Sequence, residues 1–383
     1  MTMETFKPAV DRLGSYEAII RDVITHGIFP AWATNINNWP ATVAALGAQI
    51  RTSYCCGGTS FKTFGVSGQS LWNGSVLAPN GCIYGIPHGG LGTTSTKVVK
   101  INPATEAITT FGNLLPDTYK WYGGVLAPNG KIYGIPYDST TVLRIDPLTD
   151  STTTFDNLIG TAKWAGGVLA PNGYIYGIHH TSLTVLKIDP ITNTTITFGT
   201  LTFTSPGWAG GTLAPNGMIY GTPYNSTTVL RIDPTTNTAA TFGSLPGINK
   251  WIGGVLAPNG MIYCVPYNST SVLKIDPVAN TATTFGSFST SNWVGGVLAG
   301  DGMIYGIPNG IQTRILRIDP TNDTTTTFAG ASVADWQGGT LAPNGMIYCV
   351  GSGTTSSASI LRIGSGPDVQ LNHTLSRFFN KSF

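Results

Sequence analysis

Short runs of alternating apolar and polar residues follow one another along most of this chain, and the same order of runs returns seven times. The second copy shows the pattern. Gly123-Gly124-Val125-Leu126-Ala127 is small and apolar, as an innermost strand crowded against a ring axis must be. Pro128-Asn129-Gly130 follows, a hairpin signal because Asn and Gly both tolerate a positive φ. Lys131 to Ile135 predicts a second strand stopped by Pro136, and Thr141 to Ile145 a third whose side chains alternate between two faces. Asp146-Pro147 opens the next turn, where the carboxylate is placed to accept local backbone N–H bonds. Ser151 to Phe155 is a Thr-rich outer strand, polar because one edge faces water. A one-residue slip would reverse every side chain, so the register is well specified.

The copies are marked by Trp72, Trp121, Trp164, Trp208, Trp251, Trp293 and Trp336, at intervals of 49, 43, 44, 43, 42 and 43 residues. Each Trp opens a version of W-x-G-G-V-L-A-P-N-G-x-I-Y-G-I-P-Y-x-S-T-T-V-L-R-I-D-P-x-T-x-T-x-T-T-F-G. Four strands in such a unit match one propeller blade. The expected fold class is therefore all-β, a seven-bladed β-propeller with a short, partly helical N-terminal arm. The frequency of Gly, Pro and β-branched residues excludes a helical solenoid, and the rungs of a parallel β-helix are shorter than one of these units. Phasing also predicts how the ring closes. After Leu361-Arg362-Ile363 the seventh copy loses the D-P-x-T pattern, and its missing strand stands ahead of the first Trp as Phe61-Lys62-Thr63-Phe64-Gly65. Residues 61–65 should complete the last blade of a propeller spanning 58–366.

Composition bounds the chemistry. Of 383 residues 41% are apolar, enough for a core shared between repeats, while 10% are charged against ~25% in ordinary soluble domains. Thr, Ser and Asn take the places where Lys and Glu usually sit. Two origins account for such a surface: a rigid, externally exposed β protein, or a Thr-rich unit copied several times. A net charge of +2 leaves no basic footprint for nucleic acid. No apolar run approaches the ~20 residues that span a bilayer. The first residues lack the apolar core of a signal peptide, so classical secretion is not expected for the chain as given.

Residues 1–57 do not resemble the repeat. Ser15 caps a predicted helix to about His26 that gathers Ile19, Ile20, Val23 and Ile24 on one face, with Gly27 as its stop. Pro40 opens a second short helix through Leu46. The segment reads as a cap on the propeller or, in the preferred reading, as an arm that docks the ring onto another subunit. The tail, 367–383, carries Phe378, Phe379 and Phe383, aromatic enough to bury in such a partner. Among the cysteines, Cys264 and Cys349 stand where sister copies have Gly and should be small buried thiols. Cys55, Cys56 and Cys82 lack metal-ligand spacing; free thiols are the default, and a bridge to Cys82 the alternative.

An enzyme built on a propeller must break its own symmetry, because one active site needs one asymmetric cluster of acid, base or metal ligands. The breaks here are mild. His179-His180 replaces Pro-Tyr in the third copy, His88 replaces the Tyr in the first, and Asn309-Gly310-Ile311-Gln312 remodels the sixth. Adjacent histidines are candidate metal ligands, yet no Asp, Glu or Cys is expected beside them. The Lys/Arg-Ile-Asp elements (Arg144/Asp146, Lys187/Asp189, Arg231/Asp233) read as blade-to-blade ion pairs, and the tryptophans as inter-blade packing. Better ligand candidates are the loop residues Tyr137, His179, His180, Tyr224 and Tyr267, since loops on rigid scaffolds carry function. Sequons such as Asn225-Ser226-Thr227 and Asn268-Ser269-Thr270 read as by-products of Thr-rich turns. No catalytic residue, cofactor or metal is expected.

The unit G-G-V-L-A-P-N-G-x-I-Y-G-I-P with K/R-I-D-P resembles the YVTN/WD40-type propeller repeat of bacteria and viruses over about residues 58–366. It departs from true WD40 units, which end in Trp-Asp, and from kelch and Asp-box signatures. The resemblance implies a fold and a general interaction role, and carries no catalytic residues. The expected function is a non-enzymatic structural or recognition component of a virion, of bacteriophage tail or capsid type. Its partners would be other structural proteins, bound through the arm and tail, with glycans as a further ligand. A carbohydrate-binding lectin, extracellular or at a cell surface, is the first alternative. A propeller-type hydrolase or lyase is the second.

Overall fold

The computed structural model describes residues 60–66, 71–90, 94–201, 206–289, 291–329, 336–351 and 358–364, all within one compact unit, Ser60–Gly364. The arm with Ile19, Ile20, Val23 and Ile24, the pair Cys55-Cys56, and the tail with Phe378, Phe379 and Phe383 lie outside the described residues. Among the described residues there are strands and no helix.

The strands form seven four-stranded antiparallel sheets. Six are simple meanders that begin at a Trp; the second runs β6 (Trp121–Leu126), β7 (Ile132–Pro136), β8 (Val142–Asp146) and β9 (Ser151–Phe155). The seventh draws on both ends of the ring. Its order is β1 (Ser60–Val66), β28 (Ala358–Gly364), β27 (Ile347–Val350) and β26 (Thr340–Leu341). In it Phe61 lies opposite Ile363 and Phe64 opposite Ile360. Innermost strands of neighbouring sheets touch all the way round, and β26 meets β2 (Trp72–Leu77), so the ring is closed.

Each complete inner strand carries a bulge. Trp121 pairs with Pro136 but Gly124 with Gly134, and the Gly between them, Gly123, has φ 73°. A Cβ on the equivalent Gly166 would lie 3.0 Å from the Gly210 Cα of the next sheet. Positive φ and close approach together require glycine at the axis. The cores lie between sheets: Tyr84, Ile86 and Val98 of the first blade pack with Trp121, Ile132 and Leu143 of the second. Each of the seven tryptophans is at most 3% exposed, and Trp121 Nε1 donates to Thr141 O at 2.7 Å, so these indoles are packing residues. Cys82, Cys264 and Cys349 are buried free thiols. Cys264 has room because Thr222 replaces the usual Ile of the preceding sheet, its hydroxyl 3.5 Å from Sγ, and burial pushes that thiol up to about 12.

The Pro-Asn-Gly turn departs from expectation in one respect. Only Gly130 takes a positive φ (76°); Asn129 does not. The Gly130 N–H bonds to Ala127 O at 3.0 Å and the Ala127 N–H to Lys131 O at 2.9 Å, a three-residue loop closed by a glycine bulge. The Asn129 side chain then tethers the next blade: Nδ2 donates to Tyr133 Oη (3.0 Å) and to Pro190 O (2.8 Å), and Tyr133 Oη donates to Pro190 O (3.0 Å). The same tether joins the seventh blade to the first through Asn344, Tyr348 and Pro103. Between the sixth and seventh blades the residues of the tether differ. The seventh has no Asp-Pro turn, and Asp301, in the place of the Asn, accepts from Tyr305 Oη at 2.8 Å.

The charged elements also pair differently from expectation. Asp189 accepts from the Ile191 and Thr192 N–H groups of its own turn (2.8 and 3.3 Å), and Asp233 likewise from Thr235 (2.8 Å). Those carboxylates are occupied locally, so Lys187 and Arg231 reach instead to Asn237 and Asn280 of the next blade (3.2 and 3.3 Å). Asp146 pairs with Lys131, not Arg144. Where the residue reached across the interface is acidic, an ion pair forms, as in Lys100–Asp150 (2.7 Å) and Lys274–Asp323 (2.6 Å).

Candidate ligand-binding face

The loops at the other end of the blades start one residue beyond the second strand, and their first residues converge on the axis. His88 lies 6.0 Å from Tyr137, Tyr137 5.5 Å from His180, His180 5.8 Å from Tyr224, and Tyr224 6.1 Å from Tyr267, ring centre to ring centre. Tyr122 enters this collar from β6, 5.6 Å from Tyr137 and 5.7 Å from His88. Ala165, Ala209, Ile252 and Val294, each following an inner-strand Trp, form an apolar floor on which the tyrosines pack. Tyr137, Tyr224 and Tyr267 are half-buried.

The remaining collar positions share one hydrogen bond. His88 Nδ1 and His180 Nδ1 each lie 2.8 Å from the carbonyl of the next blade's Trp, Trp121 and Trp208, and Asn309 Nδ2 donates to Trp336 O at 3.1 Å. A carbonyl only accepts, so Nδ1 carries the hydrogen and Nε2 of each neutral imidazole is left as an acceptor. Burial holds His88 down at about 4 and lowers His180 as well. Burial also pushes Tyr137 up to about 12, and raises Tyr122 against the opposing hydrogen bond from Asn73. Burial favours the neutral form of His88, His180, Tyr122, Tyr137 and Tyr224, so these rings present aromatic faces, phenolic hydroxyls and two imidazole acceptors.

The structure thus brings Tyr137, His180, Tyr224 and Tyr267 together, adds His88 and Tyr122, and separates His179. His179 is the last residue of β11 (Ile175–His179), fully buried against Trp208 with ring centres 5.1 Å apart. Burial lowers it to about 4, and neither ring nitrogen has a partner among the described residues. His179 packs on Trp208 whereas His180, the first loop residue, lies between Tyr137 and Tyr224, so the two rings have different neighbours. Among the described residues no group of three or more His, Cys, Asp or Glu is placed to hold a metal, and no helix is long and apolar enough to cross a membrane.

Three lysines missed by sequence reasoning hold the collar loops. Lys163 Nζ donates to Tyr137 O (2.9 Å), Ser139 O (2.9 Å) and Gly160 O (2.7 Å). Lys250 does the same to Tyr224, Ser226 and Gly247 (3.2, 2.9 and 2.8 Å), and Lys120 to Ser95 and Leu115. All are 3–4% exposed, and burial lowers each to about 8. The available signal was a Lys directly before the Trp in three copies. Lys163→Met strands three carbonyls and should cost roughly 2–4 kcal/mol. Denaturant titration measures this; a loss below about 1 kcal/mol would show that water replaces the ammonium without penalty.

The class so defined is a seven-bladed propeller with an aromatic collar at one end of its axis. The chain belongs to the family described as a repeat of unknown function, DUF6923, whose model matches residues 42–217 and 209–363. No curated protein matches its sequence. Among solved structures, a streptogramin B lyase superposes with a TM-score of 0.68 at 14% identity, over 80% of this chain and 98% of that one. A catalytically inactive virginiamycin B lyase from Staphylococcus aureus with quinupristin gives 0.65 at 14% identity, over 79% and 99%. An extracellular domain from B. thetaiotaomicron gives 0.60 at 10% identity, over 79% of this chain and 42% of that one. At these identities the likeness shows the fold alone.

Proposed function

We propose that this propeller is a non-enzymatic recognition module whose functional face is the collar end and whose ligand is a neutral glycan. The collar carries the reading. Half-buried tyrosine rings supply stacking surface, their hydroxyls and the His88 and His180 Nε2 atoms supply directional polar contacts, and no charge selects for an ionic ligand. At the level of assembly we infer a virion component of bacteriophage type, held by residues 1–57 and the tail, a reading supported by the non-repeat arm and the low-charge surface. Its low charge and Thr-rich surface, and the likeness to an extracellular domain, support an exposed setting. Glycan-array binding followed by calorimetry tests the ligand: Tyr224→Ala and Tyr267→Ala should each weaken binding roughly tenfold. An array on which the intact chain binds no neutral glycan would sink the ligand assignment. Deleting 1–57 should leave a folded ring that no longer joins a particle.

The likeness to streptogramin B lyase favours a second reading, a lyase that uses a neutral collar histidine, through Nε2, as its base. Turnover of a streptogramin B by the intact chain, abolished in His180→Asn, would establish that reading over the first.

A further inference from the structure

We propose a second carbohydrate site at the collar end, in the groove between the third blade and the connection that leads into it, taking a pyranose unit of a neutral oligosaccharide. It rests on the glycan reading above. The groove has a volume of about 490 Å³ and runs between residues 157–161, which lead into Trp164, and the loop containing Thr181, Ser182 and Thr184. That volume lies within the range of small-ligand sites. The buried Trp164 and Lys163 are among its lining residues. The Lys163 ammonium bonds three backbone carbonyls, so it offers a ligand no uncommitted charge, and no acidic residue lines the groove.

The walls specify the chemistry further. The Thr181 hydroxyl donates to Thr161 O and Ala162 O (2.9 and 2.8 Å), and the Ser182 and Thr184 hydroxyls bond each other at 3.1 Å. The Ser182 oxygen also accepts from the Thr184 N–H at 3.4 Å, so the groove wall is a row of neutral hydroxyls that retain both acceptor and donor capacity. Asn157 adds an amide at the rim, and Ile159, 85% exposed, adds an aliphatic lip. The complementary ligand is uncharged, carries several hydroxyls and has one C–H face for Ile159. A pyranose has all three properties. The lip has one counterpart, Leu115, 84% exposed, whose carbonyl accepts from the caged Lys120, so a related groove is expected beside Trp121.

Calorimetry and native mass spectrometry of the full chain with cellotriose, maltotriose and chitotriose test this. The expected result is more than one sugar bound per chain. Thr161→Trp, at an exposed position, should fill the groove and weaken one class of site at least tenfold while leaving the collar class intact; Tyr224→Ala should do the reverse. Ile159→Asp provides a second groove variant, also on an exposed side chain. Binding with a single class of site, unchanged in both groove variants and lost in Tyr224→Ala, overturns the groove and preserves the collar. No binding of any of the three sugars by the intact chain overturns both.

Discussion

A chain lacking residues 1–66 is expected to lose on the order of 5 kcal/mol of stability relative to one lacking only 1–57, at ~1 kcal/mol net for each backbone hydrogen bond removed. The difference between the two deletions is β1. That strand pairs with β28 over seven positions, from Ser60 opposite Gly364 to Val66 opposite Ala358. Without it β28 becomes a bare edge, and Ile360, Leu361 and Ile363, each at most 1% exposed, lose cover. The Lys62–Glu106 pair, which with Arg362–Glu106 bridges the last blade to the first, goes too. Such a loss is a large fraction of the ~5–15 kcal/mol that holds a domain together. Thermal and denaturant unfolding of the two deletions compares them directly. Superimposable curves would show that closure does not depend on β1.

Acid should weaken the ring in a window set by its histidines. Burial is the leading cause for all three: His88 and His179 fall from 6.5 to about 4, and His180 is lowered as well. Between those values the unfolded chain binds more protons than the folded one. Stability is therefore complete above pH 6.5, declines as pH falls, and this contribution is gone near pH 4. The shifts of His88 and His179 correspond to about 3 kcal/mol each. Asn309 shows that an amide satisfies the same Trp carbonyl, so His88→Asn and His180→Asn should fold and flatten the decline between pH 6.5 and 4. Melting temperatures across that range measure it; profiles of variant and parent that fall in parallel would exclude His88 and His180 as the cause.

The fold was legible because each blade repeats one pattern, and seven copies of a weak signal make a strong one. Even the closing strand could be read, since Phe64 keeps the distance to Trp72 that Phe285 keeps to Trp293. The collar was legible in part. The loop tyrosines stood out, but His179 was grouped with its neighbour although it is the last residue of a strand and packs on Trp208. The charged ladder misled because residues two apart share a face, while the Asp side chain folds back onto its own turn. The lysine cages were beyond reach, since their acceptors are mainly carbonyls of a loop some two dozen residues upstream, which only the folded ring brings near.

Among the described residues six joints in the ring carry the Asn–Tyr–Pro tether, and at the joint beside the blade assembled from both chain ends Asp301 takes the place of the Asn. Under mechanical load or heating, rupture should start at that composite blade. The seventh blade, whose inner strand spans only Thr340–Leu341, would peel away first, leaving an arc of six whose internal ties are intact.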